Sequence, residues 1–195
     1  MMNISQEDAR ESLELIEDTG ARLRKAVAAS YDGGLLIMWG LIWILAFLGT
    51  HFFRGWAWPI WMTLGGIGTM VTFLVGWSQL RSANPIKIPA AEKIGWRIFG
   101  FWSLLFVYMF IWLSILRPQH GVQLNAFICT AIMFAYVVSG LWFKSYHMLW
   151  LGIGVTCITL VGFYLIPVAY YCLWMAAIGG GAFLTTGLYI RLRWK

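Results

Sequence analysis

The sequence predicts an all-α fold: a polytopic integral membrane protein with six transmembrane helices, preceded by an N-terminal cytoplasmic amphipathic helix. Three observations carry this reading. Of 195 residues, 61% are hydrophobic and 11% charged, and the mean hydropathy is +0.74. A soluble domain carries about 25% charged residues, so this chain cannot solvate a globular surface, and a soluble enzyme is excluded. The apolar residues gather into six runs, each near the roughly 20 residues needed to cross about 30 Å of hydrocarbon. Finally, the net charge of +6 is unevenly divided: residues 1–32 hold seven acids against four bases, and the remainder holds ten bases against Glu92 alone. The basicity therefore belongs to a membrane domain, and nucleic acid is not expected as a partner.

Residues 1–32 read as a cytoplasmic tail with a helix over 5–29. Ser5 followed by Asp8 forms a capping-box-like start, the acid complementing the positive helix end. Ala9, Leu13, Ile16, Gly20, Leu23 and Val27 then recur at alternating steps of four and three, a heptad seam of marginal length for a coiled coil. Acids fill its first half, and Arg22, Arg24 and Lys25 the second. Only the membrane-proximal end is thus attracted to anionic headgroups. Leu13, Ile16, Leu23 and Val27 are the expected partner-binding residues, for a second copy or a cytoplasmic protein. The same pattern also fits a lead-in packed beneath the bundle.

Within the transmembrane domain, 33–190, spans are expected at 34–53, 57–79, 98–116, 123–143, 147–165 and 168–190, followed by a basic C-terminus at 191–195. The first run follows about thirty mostly polar residues and lacks a cleavage site, so it reads as a retained span rather than a signal peptide. Residues 146–190 contain no Asp, Glu, Lys or Arg, and one straight helix of that length would run roughly 67 Å. The segment must fold back, and Pro167 after Ile166 marks the hairpin. Twelve of the 14 Lys and Arg residues fall on the amino-terminal side of the spans, leaving Arg54 and Arg117 opposite. The positive-inside rule then places both termini in the cytoplasm, consistent with an even span count. The lean loops suggest a multi-pass protein of a prokaryotic cytoplasmic (inner) membrane, with membrane lipid as a partner.

The spans resemble three tandem helical hairpins. Odd spans open on Trp39-Gly40, Phe99-Gly100 and Trp150-Leu151-Gly152; even spans close on Val75-Gly76-Trp77, Ser139-Gly140-Leu141-Trp142 and Thr186-Gly187-Leu188-Tyr189. Trp61-Met62 before Gly65-Gly66 is echoed by Trp174-Met175 before Gly179-Gly180. Duplication and convergent use of interfacial aromatics with small packing residues both account for this. Gly65, Gly66 and Gly68 in the second span and Gly179, Gly180 and Gly181 in the sixth are expected to let these two helices approach closely.

Candidate chemistry is sparse. No Asp, Glu, Lys or Arg lies mid-span, whereas proton relays and ion-coupled carriers keep ionisable groups at depth. His51, His120 and His147 sit at span ends, no residue is placed to activate a serine, and Cys129, Cys157 and Cys172 form no CxxC pair. No catalytic residue, cofactor or metal site is expected. Internal tryptophans exceed what interfacial belts require, and Trp61, Trp102 and Trp174 are the candidate ligand-facing aromatics. The expected function is non-enzymatic: a scaffold, sensor or regulatory subunit acting through the tail helix. The alternative is a small permease or channel for a neutral or lipid-like molecule.

Overall fold

The structure is a computed structural model that describes residues 33–82 and 89–193, and the side chains of these outside 79–96 and 193. The expected tail helix, with Leu13, Ile16, Leu23 and Val27, lies outside the described residues.

All regular structure among the described residues is helical, and six helices are long and apolar enough to cross a membrane. They are α1 (Gly33–Phe52), α2 (Ala57–Ser82), α3 (Pro89–Leu116), α4 (Gly121–Phe143), α5 (Tyr146–Leu165) and a composite sixth span. The sixth consists of α6 (Val168–Trp174), a π-helical turn (Met175–Gly180) and α7 (Gly181–Arg193). Five of the six spans begin and end within three residues of the hydropathy run that predicts them, whereas α3 starts nine residues before its run, its helix continuing from Pro89 through Glu92 and Lys93.

The connections show why the helices stop where they do. Pro167 lacks an amide proton and cannot extend α5; it sits at φ −55°, ψ 140°, and its carbonyl accepts from the Tyr170 amide (2.8 Å) to start α6. At the α4–α5 turn, Lys144 adopts a left-handed conformation, φ 54°. The Lys144 and Ser145 amides donate back to the carbonyls of Leu141 (3.4 Å) and Gly140 (2.8 Å), a Schellman closure. Arg117, just past α3, is likewise left-handed at φ 41°.

The core lies among α1, α4, α5 and the sixth span. Phe47, Met133, Val155, Tyr171, Met175 and Phe183 are essentially inaccessible there. By contrast α2 and α3 lie at the periphery, with large apolar side chains such as Met70, Phe73, Phe110 and Ile115 exposed.

Close approach of backbones at glycine holds the inner helices together. A Cβ on Gly40 would lie 2.7 Å from the Leu184 amide nitrogen, and one on Gly187 would lie 2.8 Å from the Gly33 carbonyl oxygen. Gly33 and Gly40 on α1 thus oppose Gly187 and Gly180 in an antiparallel register with seven-residue spacing on each helix. Gly140 and Gly152 do the same for α4 and α5: a Cβ on the first would lie 2.5 Å from the Leu149 amide nitrogen, and one on the second 2.9 Å from the Met133 carbonyl oxygen.

The π-turn sits between two docking tasks. Before it, Tyr171 and Trp174 engage α4 and α5; after it, Phe183 and Gly187 engage α1. The wider turn changes the helix's facing direction between them, since each of its turns takes up more residues than an α-turn.

Candidate functional site

The three candidate aromatics occupy defined places. Trp61, on α2, meets Phe47 edge-on at 5.0 Å; Phe47 meets Trp43 (5.8 Å), Trp43 meets Phe183 (4.9 Å), Phe183 meets Tyr136 (5.8 Å), and Tyr136 meets Trp102 (6.0 Å) on α3. These rings form one continuous chain from α2 through α1, α7 and α4 to α3. Most of the contacts are T-shaped, the geometry in which a ring edge meets another ring's electron-rich face. The middle rings of this chain, Trp43, Phe47 and Phe183, are buried in the core, and beyond Trp102 the contacts continue to Phe101 and from there to Trp142.

Trp174 lies off this chain, against α5. Its indole Nε1 donates to the Ile158 carbonyl at 2.9 Å, and its ring lies over Gly162, where a Cβ would come within 2.7 Å. Trp61 behaves alike: its Nε1 donates to Thr50 Oγ1 on the preceding helix at 3.0 Å. The sequence likeness around Trp61 and Trp174 therefore has a structural counterpart, since each indole reaches back to the span before it. The reciprocal bond, Trp39 Nε1 to Thr72 Oγ1 at 3.1 Å, closes the other end of the α1–α2 hairpin. Thr50 and Thr72 each donate in turn to the carbonyl four residues earlier, Ala46 and Gly68, at 2.8 Å.

The expected close contact between second- and sixth-span glycines is not made. Gly65, Gly66 and Gly181 have open space where a Cβ would be, and Gly68 faces Ile42 and Trp39 of α1. Gly179 and Gly180 also face α1, through Trp43 and Ile44. The packed members of each run, Gly68 in one and Gly179 and Gly180 in the other, thus bear on the first span. A glycine leaves no side chain to declare its face, and helices apolar all round carry no stripe that marks one.

Sequence reasoning missed Asn125 on α4. Its Oδ1 accepts from the buried Tyr171 hydroxyl at 2.9 Å and from Cys129 Sγ at 3.5 Å. An amide one turn inside an apolar run was the available signal, because such a group needs a partner when buried. His51 ends α1, His120 caps α4, and His147 opens α5 with its ring 6.1 Å from that of Tyr189. Among the described residues, no three His, Cys, Asp or Glu gather in a group able to hold a metal ion.

No protein-family model, curated protein or solved structure matches this chain. Its own geometry is what bears on function. Beside the aromatic chain, that geometry offers an open groove of about 540 Å³ between α5 and α7, at the end of the bundle bearing Lys144 and Arg191.

Proposed function

We propose that the chain is a multi-pass protein of the cytoplasmic membrane, with both termini in the cytoplasm, acting as a non-enzymatic scaffold, sensor or regulatory subunit. One observation carries this reading: the linked rings of Phe47, Trp43 and Phe183 are buried in the packed core among the inner spans, while α2 and α3 leave most of their apolar surface open. A filled centre favours a protein that works by lateral or end-on contact over one that passes a solute. The indole bonds of Trp61 and Trp174 support this, since both donors are held by neighbouring helices rather than presented to a ligand. The distribution of Lys and Arg supports the orientation. The tail heptads supply the contact surface, through Leu13, Ile16, Leu23 and Val27.

The test compares the full chain with one lacking residues 1–29, both extracted in mild detergent. Light scattering and affinity capture are expected to show loss of a second copy or of a cytoplasmic partner on truncation. Unchanged particle mass and unchanged capture would sink the tail-docking reading.

A further inference from the structure

We infer that the π-helical turn of the sixth span holds one surplus residue, and that this surplus keeps the docking faces on either side of the turn in line. The second span supplies the comparison. Trp61 precedes the Gly65-Gly66 pair by four residues, and Trp174 precedes the Gly179-Gly180 pair by five. Through this stretch the second span is a regular α-helix, whereas in the sixth the π-turn covers Met175–Gly180, the same interval that holds the additional residue. A turn closed by i→i+5 bonds takes up one residue more than an α-turn, so the bulge and the extra residue coincide.

Helical phase shows what the bulge does, since an α-helix advances about 100° per residue. Tyr171 bonds to Asn125 of α4, and Phe183, twelve residues later, meets Tyr136 of the same helix. Twelve α-steps would leave Phe183 about 120° from the direction of Tyr171, and eleven bring it within about 20°. Trp174 bonds to the Ile158 carbonyl of α5, and Ala182, eight residues later, lines the groove against that helix. Eight steps miss by about 80° and seven by about 20°. Two pairs, facing two different helices, thus align when the same single residue is discounted.

The surplus lies on the surface of the bundle. Within the turn Met175, Ala176, Gly179 and Gly180 are buried, while the consecutive residues Ala177 and Ile178 are exposed. The inner side stays packed on α1, where Gly179 and Gly180 face Trp43 and Ile44. Removing Ala177 therefore subtracts one helical step and no core contact. Removing a residue from α7 has a different consequence. Without Thr185, Leu188 moves to the place of Gly187, where a Cβ alone would lie 2.8 Å from the Gly33 carbonyl oxygen.

The experiment takes the full chain and deletes one residue, Ala177 or Thr185, and follows thermal melting in mild detergent. Deletion of Ala177 should convert the turn to regular α-helix and shift the melting temperature by no more than about 4 °C. Deletion of Thr185 should lower it by roughly 10 °C or abolish the cooperative transition. A second substitution reads the phase directly. Phe183→Ala should lower the melting temperature by on the order of 10 °C in the parent chain, and by the same amount in the Ala177 deletion, because the ring stays in the core in both. An Ala177 deletion as unstable as the Thr185 deletion would overturn the surplus residue. A stable Ala177 deletion in which Phe183→Ala has lost its effect would mean that α7 has turned about its axis, and would overturn the phase role.

Discussion

The four inner spans and the two outer ones are built from similar residues but sit in different surroundings. Between 28 and 39% of the apolar stretch is buried in α1, α4, α5 and the sixth span, against 6% in α2 and 11% in α3. Hydropathy does not separate them, since α3 is the most apolar of the six by its best window. What separates them is glycine placed against backbone. The inner helices meet at Gly40, Gly140, Gly152, Gly180 and Gly187, while Gly65, Gly66 and Gly100 on the outer helices face open space. Where lipid removes the hydrophobic drive between helices, association rests on close van der Waals fit, so a glycine contributes only when another backbone approaches it.

The largest effect expected follows from that contrast. Gly180→Val or Gly187→Val places a branched side chain where even a Cβ would lie 2.6–2.8 Å from Ile44, Ile37 or the Gly33 carbonyl oxygen. Helices α1 and α7 must separate, and a loss of about 3 kcal/mol is expected from overpacking, read as a large drop in the melting temperature of the detergent-solubilised protein. On the outer helix, Gly66→Ala should be neutral or stabilise by about 0.5–1 kcal/mol, since alanine is the better helix former. Equal destabilisation at Gly66 would mean that α2 is as tightly packed as α7, and the division into inner and outer spans would fail.

Polar clamps give a smaller test of the same division. Tyr171→Phe removes the buried hydroxyl bonded to Asn125, at an expected cost of about 1–2 kcal/mol, because Asn125 and its surroundings lose a partner away from water. Trp61→Phe with Thr50→Val breaks the α2–α1 clamp. A double-mutant cycle should return a coupling near 0.6 kcal/mol, the usual scale for hydrogen bonds between membrane helices. If the Trp61–Thr50 coupling exceeded the cost of Tyr171→Phe, α2 would be anchored as firmly as the core.

Single-helix properties were legible in the sequence, and pairwise ones largely were not. Apart from the start of α3 at Pro89, the ends of the six helices follow from runs of apolar residues and from punctuation such as Pro167, which act locally. The likeness of Trp61 to Trp174 was also visible, and both indoles bond to the preceding span. The partner of each glycine run was not visible, because a helix apolar on all faces has no preferred side until a neighbour is specified. Nor does spacing reveal that rings on five different segments line up from Trp61 to Trp102. The groove is not legible for a further reason: its aliphatic floor and rim aromatics come from α5 and α7, about 40 residues apart in sequence.

The last comparison, and the smallest in expected difference, is between the two left-handed positions. Lys144 and Arg117 both adopt a conformation in which glycine carries no steric penalty. Lys144 lies in a turn closed by the Lys144 and Ser145 amides donating to Leu141 and Gly140, and one turn earlier Gly140 packs so closely on α5 that a Cβ there would lie 2.5 Å from the Leu149 amide nitrogen. Both flanking helices are fixed there, so the backbone cannot relax, and Lys144→Gly should stabilise the fold by about 0.5 kcal/mol, the relieved left-handed strain exceeding glycine's added freedom in the unfolded chain. Arg117 ends the weakly buried α3, with a longer connection to α4 and a single amide bond to Leu113 at 3.0 Å. That segment is freer to adjust around the side chain, and Arg117→Gly should gain less than Lys144→Gly in the same melting assay. A larger gain at Arg117 would place the more rigid backbone at the outer span and reverse the ranking that burial gives.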